Sequence, residues 1–242
     1  MTDRNQEHME AVVRKTIPVK MTLLSDTIFG NGMSIPGEED ISVLTDAQGF
    51  PYYKGSTFKG LFREEMKRYF EWEGYPEDKI IETLFGEGNP GAASPEEEAR
   101  RLVFSDFFMS PYVRAVIFRE IGDDPGAILD CLSNTRAFTR ISEEGTAAKG
   151  SLRYARCINK GLVFYSEISC AAEDEELVKE VLPFVKWLGT LRNRGFGNVR
   201  IEPEKAITEK EKDTASNESE NAISKEPEGP MPCAEEKPGG DA

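Results

Sequence analysis

The chain has 242 residues, 38% of them hydrophobic and 10% aromatic, and a formal net charge of −14. Such a composition belongs to a globular protein with one sizeable core or two small ones. No run of about 18 apolar residues is present, which excludes a membrane-spanning helix, and the polar, mixed-charge start MTDRNQEHMEAVVRK does not read as a secretory signal.

Cys131, Cys157, Cys170 and Cys233 are scattered, with no C-x-x-C pair, and His8 is the one histidine. Neither a zinc site nor a disulfide framework fits this pattern. The expected compartment is a reducing cytoplasm. The acidic total argues at first against nucleic acid, yet the charge is uneven. From Thr208 to the end there are ten acids and four bases, whereas 136–164 holds six bases (Arg136, Arg140, Lys149, Arg153, Arg156, Lys160) against Glu143 and Glu144. A local basic face can bind phosphate even when the overall field is unfavourable.

Along the chain, Thr16 to Phe29 is rich in strand formers and reads as a first strand. Gly30 to Phe50 is broken by Gly30, Gly32, Pro36 and Gly37 and carries the acids Glu38, Glu39, Asp40 and Asp46. A loop of this length is usually functional or mobile. PYYKGSTFKG at 51–60 leads into a helix, with Ser56 as its expected N-cap and Phe58, Leu61, Phe62, Met66 and Tyr69 as its buried stripe. Lys54, Lys59 and Arg63 surround the helix start. Free amides beside a lysine can hold a phosphate, or simply a carboxylate. The spacing excludes a P-loop.

Asp78 to Phe85 reads as a short helix ending at Gly86, followed by an acidic loop from Glu87 to Glu98. RLVFSDFFM at 101–109 reads as a buried strand, and YVRAVIFRE at 112–120 has a strand-like composition. In the basic stretch, Gly145 to Gly150 reads as a flexible tip. Ser151–Cys157 and Leu162–Ala171 read as two strands joined at Asn159-Lys160-Gly161, a hairpin arm. Leu177 to Leu191 reads as a second long helix.

The chain turns at KWLGTLRNRGFGNVR (186–200). The spacing of Val181, Phe184, Val185 and Leu188 continues the helix, and a break at Arg192-Asn193-Arg194-Gly195-Phe196-Gly197 precedes a strand from Asn198 to Glu202. Glycine allows a close approach to another backbone or to a phosphate, and arginine forks onto phosphate. A tight helix-to-strand turn with solvated arginines accounts for the same residues. From Thr208 onward the composition is too poor in large apolar residues for a core, and the tail 208–242 is expected to be disordered.

The order of elements suits one α+β domain over 1–207, a ferredoxin-like (RRM-like) β-α-β-β-α-β fold with a β-hairpin inserted at about 122–160. Sheets of that type present a face to single-stranded RNA in other proteins, although fold alone does not establish function.

Four stretches together resemble the RAMP superfamily of CRISPR effector complexes: FPYYKGSTFKGLFR at 50–63, RLVFSDFF at 101–108, TRISEEGTAAKGSLRYARCINKGLVF at 139–164 and LGTLRNRGFGNV at 188–199. The resemblance spans roughly 16–203 and is greatest to the backbone subunits of type III complexes, which polymerise along a guide RNA. It implies guide contacts at Lys54, Ser56, Lys59 and Arg63, in the glycine loop (Arg192, Arg194, Gly195, Phe196, Gly197), and along the arm (Arg136, Arg140, Lys149, Arg153), which would act as a thumb in the guide–target duplex. The partners it implies are crRNA, single-stranded target RNA, other effector subunits and copies of the chain itself, with no membrane. In catalytically active members an aspartate in the loop after the first strand promotes target cleavage with a divalent metal, expected to be Mg²⁺. Asp40 in Asp40-Ile41-Ser42-Val43-Leu44 fits best, as catalytic residue and metal ligand, with Asp26 and Asp46 next. Glu39 and Ser42 depart from the family's isoleucine and proline, and Lys54-Gly55-Ser56 from its Pro-Gly-Ser. A non-catalytic structural or capping subunit is the alternative. As an exposed loop carboxylate, Asp40 is expected to be dispensable for target binding.

Overall fold

A computed structural model describes residues 12–34, 39–74, 77–86 and 94–204. The first eleven residues and the tail expected to be disordered lie outside the described residues, as does most of the acidic loop after Gly86.

The central sheet is built from β1 (Arg14–Leu23), β2 (Val103–Phe104), β5 (Val163–Ala171) and β6 (Val199–Pro203), all paired antiparallel in the order β2-β5-β1-β6. Alternation along β1 sends Ile17, Val19, Met21 and Leu23 into the core and leaves Thr16, Pro18, Lys20 and Thr22 on the other face. Against the core face lies α1 (Gly55–Glu73), with Phe58, Phe62, Met66 and Phe70 buried at a four-residue spacing. Phe58 meets Phe107 edge-on at 4.8 Å, and Phe62 meets Phe104 at 5.7 Å. Burying aromatic side chains of this size contributes about 2–3 kcal/mol each.

Between α1 and β2 lie α2 (Glu77–Phe85) and α3 (Pro95–Arg100). Ser94 and Glu97 close α3 with a reciprocal capping box, so the expected loop to Glu98 ends in a helix. The segment 112–120 is also helical: α4 (Pro111–Ile121) starts where the Ser110 hydroxyl accepts the Val113 N–H and Pro111 presets the first turn. Branched and aromatic residues made it look like a strand, but the cap and proline govern. After α5 (Pro125–Leu132) come β3 (Ser133–Phe138) and β4 (Arg153–Ile158), which pair with each other in a separate two-stranded sheet. The inserted hairpin therefore exists, but it joins β3 to β4. The expected partner of β4, β5, is instead the central strand between β1 and β2. The strand expected over 101–109 is regular only at Val103–Phe104 and continues as bridges from Phe107 to Tyr53 and Phe108 to Tyr165. Likewise the first strand ends at Leu23, with an isolated bridge at Thr27 beyond it.

The second long helix is shorter than its periodicity. The α-helical part, α6 (Glu175–Val181), gives way to a 3-10 turn at Leu182–Phe184. Pro183 has no N–H to bond back and its ring clashes with the preceding turn. Val185 and Leu188 are still buried, but from an extended segment. Leu188 N–H donates to the Gly197 carbonyl at 2.9 Å and Val199 N–H to that of Lys186 at 2.9 Å. Among the described residues no helix is long and apolar enough to cross a membrane.

Candidate nucleic-acid interface

Closing the 186–188 segment onto 197–199 throws residues 189–196 out as a loop. Gly197 is buried there, at φ 79°, because a Cβ would overlap the Leu188 carbonyl oxygen. Its glycine serves backbone packing. Gly195, at φ 84°, has open space around its Cβ position. Leu191 takes the left-handed conformation at φ 55°, the one non-glycine to do so among the described residues. That geometry costs roughly 1–2 kcal/mol, and it aims the turn Arg192–Arg194 outward.

The loop is clasped to the arm. Phe196 packs edge-on against Phe138 at the end of β3, 5.6 Å between centroids, and the Arg194 guanidinium lies 5.9 Å from the Phe138 ring centre. The arm tip is folded: the Ser151 hydroxyl accepts the Arg140 N–H at 3.1 Å and pairs with that of Thr139 at 2.8 Å. Ser142 N–H donates to Thr146 and Ala148 N–H to Arg140, both at 2.8 Å. Hydrogen bonds therefore order the stretch that its glycines made look flexible. The result is an open cleft of about 390 Å³ lined by Phe138, Thr139, Arg140, Lys149, Gly150, Ser151, Arg153 and Arg194. Among the described residues no acid lines it, and Arg140, Lys149 and Arg194 have no ion pair. Two parts of the chain about fifty residues apart thus converge in a pocket of four cations with an aromatic wall.

Three arm arginines, Arg153 of the cleft among them, are paired with acids of the segment after β1 and of α5. Arg136 donates to Asp26 at 2.8 Å, Arg153 to Asp40 at 3.0 Å, and Arg156 to Glu39, Asp130 and the Ser133 hydroxyl. Burial pushes the Asp26 carboxyl up, but hydrogen bonds from Arg136, the Lys160 N–H and Asn134 together outweigh it and hold its pKa below the usual carboxylate range. Asp40 is held below that range by the Tyr154 N–H at 2.8 Å and then, against some desolvation, by Arg153. Asp46 binds Arg114 at 2.7 Å and accepts the N–H groups of Gln48 and Phe50 at 3.0 Å. Each of the three aspartates singled out from sequence is thus an ion-paired anchor, and only Asp40 sits at the cleft, through Arg153.

The described residues do not themselves make a metal cage. Both Asp40 oxygens are engaged, and no three histidine, cysteine, aspartate or glutamate side chains gather among the described residues.

The α1 start lies apart from the cleft lining. Lys54, not Ser56, is the N-cap and makes no side-chain cap bond. The Gly55 N–H donates to the Asp106 carboxylate at 2.7 Å, so the helix end holds a carboxylate of its own chain. Ser56 is exposed. Half-buried Lys59 lies near Arg101 and Arg63, and burial first, then those charges, push its pKa down. Arg63 has a buried Nε with no hydrogen-bond partner among the described residues.

Among the residues lining the cleft, sequence reading missed Phe138. The alternation Arg136-Ala137-Phe138-Thr139-Arg140 was the available signal for Phe138, since basic residues interleaved with aromatics mark nucleic-acid surfaces.

Together these features define an α+β domain whose inserted hairpin and glycine loop enclose a cationic cleft. The chain belongs to the RAMP superfamily, whose profile matches residues 20–200. Its fold is similar to that of a chain in the cryo-EM structure of type III-B Cmr-beta bound to cognate target RNA, with a TM-score of 0.58 and 14% identity over 78% of this chain and 96% of that one. It is also similar to a chain in the apo state of type III-B Cmr-beta, with a TM-score of 0.55 and 13% identity over 80% and 98%. No curated protein matches the chain.

Proposed function

We propose that the chain is a guide-RNA-binding subunit of a type III CRISPR effector complex, and that the cleft between arm and glycine loop takes the RNA backbone. The carrying observation is the convergence of Arg140, Lys149, Arg153 and Arg194 on one acid-free pocket walled by Phe138. Cations supply sequence-independent phosphate affinity, and an aromatic face beside them suits an unpaired base. Membership of the RAMP superfamily and the likeness to Cmr-beta chains support the same reading. In this view the chain repeats along the guide as a backbone subunit, with other effector subunits as neighbours. The test is fluorescence anisotropy of a labelled single-stranded RNA with the full chain. Arg140→Glu/Arg194→Glu should weaken binding at least tenfold at low salt, since each lost phosphate contact also lowers the salt slope by about 0.7. Unchanged affinity in the folded double variant would remove the cleft from consideration.

The position of Asp40 favours a second reading, in which the subunit also cuts target RNA. In this reading the Asp40 carboxylate, at the rim of the cleft, would act on a 2′-hydroxyl beside a phosphate held there. Regular spacing of subunits would then give regular spacing of cuts. End-labelled target RNA, incubated with assembled complex containing wild-type or Asp40→Asn chain, with and without EDTA, decides it on a denaturing gel. Loss of evenly spaced cuts in the variant is expected. Cuts that persist would assign cleavage to another group, and their absence in wild type would leave the chain a purely structural subunit.

A further inference from the structure

Of the four cations lining the cleft, Arg153 alone carries a carboxylate partner among the described residues. Its side chain is 64% exposed, with Nη1 3.0 Å from Asp40 Oδ1. A guanidinium has five N–H donors in a fixed fork, so the Asp40 contact leaves donors for the cleft. Asp40 is held independently of Arg153: its Oδ2 accepts the Tyr154 N–H at 2.8 Å, and its own N–H donates to the Tyr154 carbonyl at 2.8 Å. Arg153 can swing on a flexible stem, but Asp40 is stapled through backbone and side chain to β4. The negative charge therefore stays at the rim when Arg153 turns toward an incoming anion.

We infer that Asp40 masks Arg153: the Asp40 carboxylate and an RNA phosphate compete for one guanidinium, so Asp40 holds the cleft's affinity down and is released from its partner when a phosphate takes Arg153. The inference rests on the cleft being the RNA site. Two negative groups about 5 Å apart at an exposed surface repel by an amount equal to a few-fold change in affinity. Unpairing Arg153 adds a fourth working cation to a cleft that otherwise has three. The same contact makes Asp40 available only where a phosphate is already bound, which would confine any chemistry of that carboxylate to loaded cleft.

The test is a double-mutant cycle on the full chain, read by anisotropy of a fluorescein-labelled oligouridylate over a salt series. Asp40→Asn keeps the shape and an acceptor for the Tyr154 N–H but removes the charge. It should bind roughly three- to tenfold more tightly than wild type at low salt, with a salt slope steeper by about 0.7, one added phosphate contact on a single strand. Arg153→Ala should weaken binding in the wild-type background, but by less than in the Asp40→Asn background, where it erases the whole gain. Asp40→Ala repeats the measurement with a side chain that cannot hydrogen-bond. No gain in either Asp40 variant overturns the inference, as does a gain that survives Arg153→Ala, which would reflect net charge alone. Arg194→Glu is included to separate the two levels. If it leaves binding unchanged, the cleft is not the RNA site and the masking falls with it. If it weakens binding while the Asp40 variants show no gain, the cleft stands and the masking alone is refuted.

Discussion

Replacing Gly197 by alanine should destabilise the domain far more than the same change at Gly195, two residues away in the same loop. Both glycines have positive φ, 79° and 84°. That shared cost is about 1–2 kcal/mol for a residue with a Cβ. At Gly195 nothing lies within 4 Å of the added carbon, so the backbone term is the whole effect. At Gly197 the carbon overlaps the Leu188 carbonyl oxygen and lies 3.0 Å from its carbonyl carbon. Relief requires the 186–188 segment to move away from 197–199. The bonds at stake are Leu188 N–H to Gly197 and Val199 N–H to Lys186, about 1 kcal/mol each. Part of the Leu188 and Val199 burial goes with them. The expected totals are about 3–5 kcal/mol for Gly197→Ala and about 1–2 kcal/mol for Gly195→Ala. For a domain of this size that corresponds to a fall of roughly 10 °C in melting temperature or more against about 3–6 °C. Urea denaturation of both variants measures it. Stabilities within about 1 kcal/mol of each other would mean that the close packing of Gly197 is not what requires glycine there.

Three further outcomes follow from the contacts. Asp106→Ala should cost about 1–2 kcal/mol in thermal or chemical denaturation, because it removes the acceptor of the Gly55 N–H at the α1 start, whereas Ser56→Ala should change stability by less than about 0.5 kcal/mol. The Asp26 carboxyl has a depressed pKa, so its contribution is complete above the ordinary value of about 4 and is lost as pH falls through the lower folded value. Limited proteolysis should find the arm more readily cleaved in acid, and Asp26→Asn should remove that dependence on pH. Burial pushes the Cys157 thiol up to about 12 and raises that of Cys170, while Cys131 is exposed. Iodoacetamide followed by peptide mapping should modify Cys131 in the native protein and reach Cys157 and Cys170 only on unfolding.

Periodicity served well where burial is one-sided. The α1 stripe is buried at Phe58, Phe62 and Met66, with Leu61 and Tyr69 only partly buried and Phe70 added, and the first strand buries one face from Ile17 to Leu23 but ends short of Phe29. Periodicity misled where a local signal outranked it. Val181, Val185 and Leu188 keep helical spacing, yet Pro183 ends the helix and the later two are buried from an extended segment. Tyr112 to Glu120 has strand formers, but Ser110-Pro111 starts a helix. The pairing of β4 with β3 was hidden because the loop joining them, 139–152, is longer than the short turn between β4 and β5 that suggested a hairpin. At the candidate site, residue type was legible and partnership was not. Arg140, Lys149 and Arg194 stood out as basic residues, and the fold brings them together. Asp40 read as an exposed loop carboxylate, dispensable for target binding. The structure pairs it with Arg153, 113 residues away, and only the tertiary fold carries such information.

The most direct test of the central claim is ultraviolet cross-linking of the chain to guide RNA in the assembled effector complex, with the adducts located by mass spectrometry. The account predicts that cross-linked peptides come from the arm base and the glycine loop, with adducts at Phe138 or Phe196 and in 149–153. Cross-links confined to the α1 start, or to the sheet face carrying Lys20 and Tyr165, with none in the cleft, would contradict it.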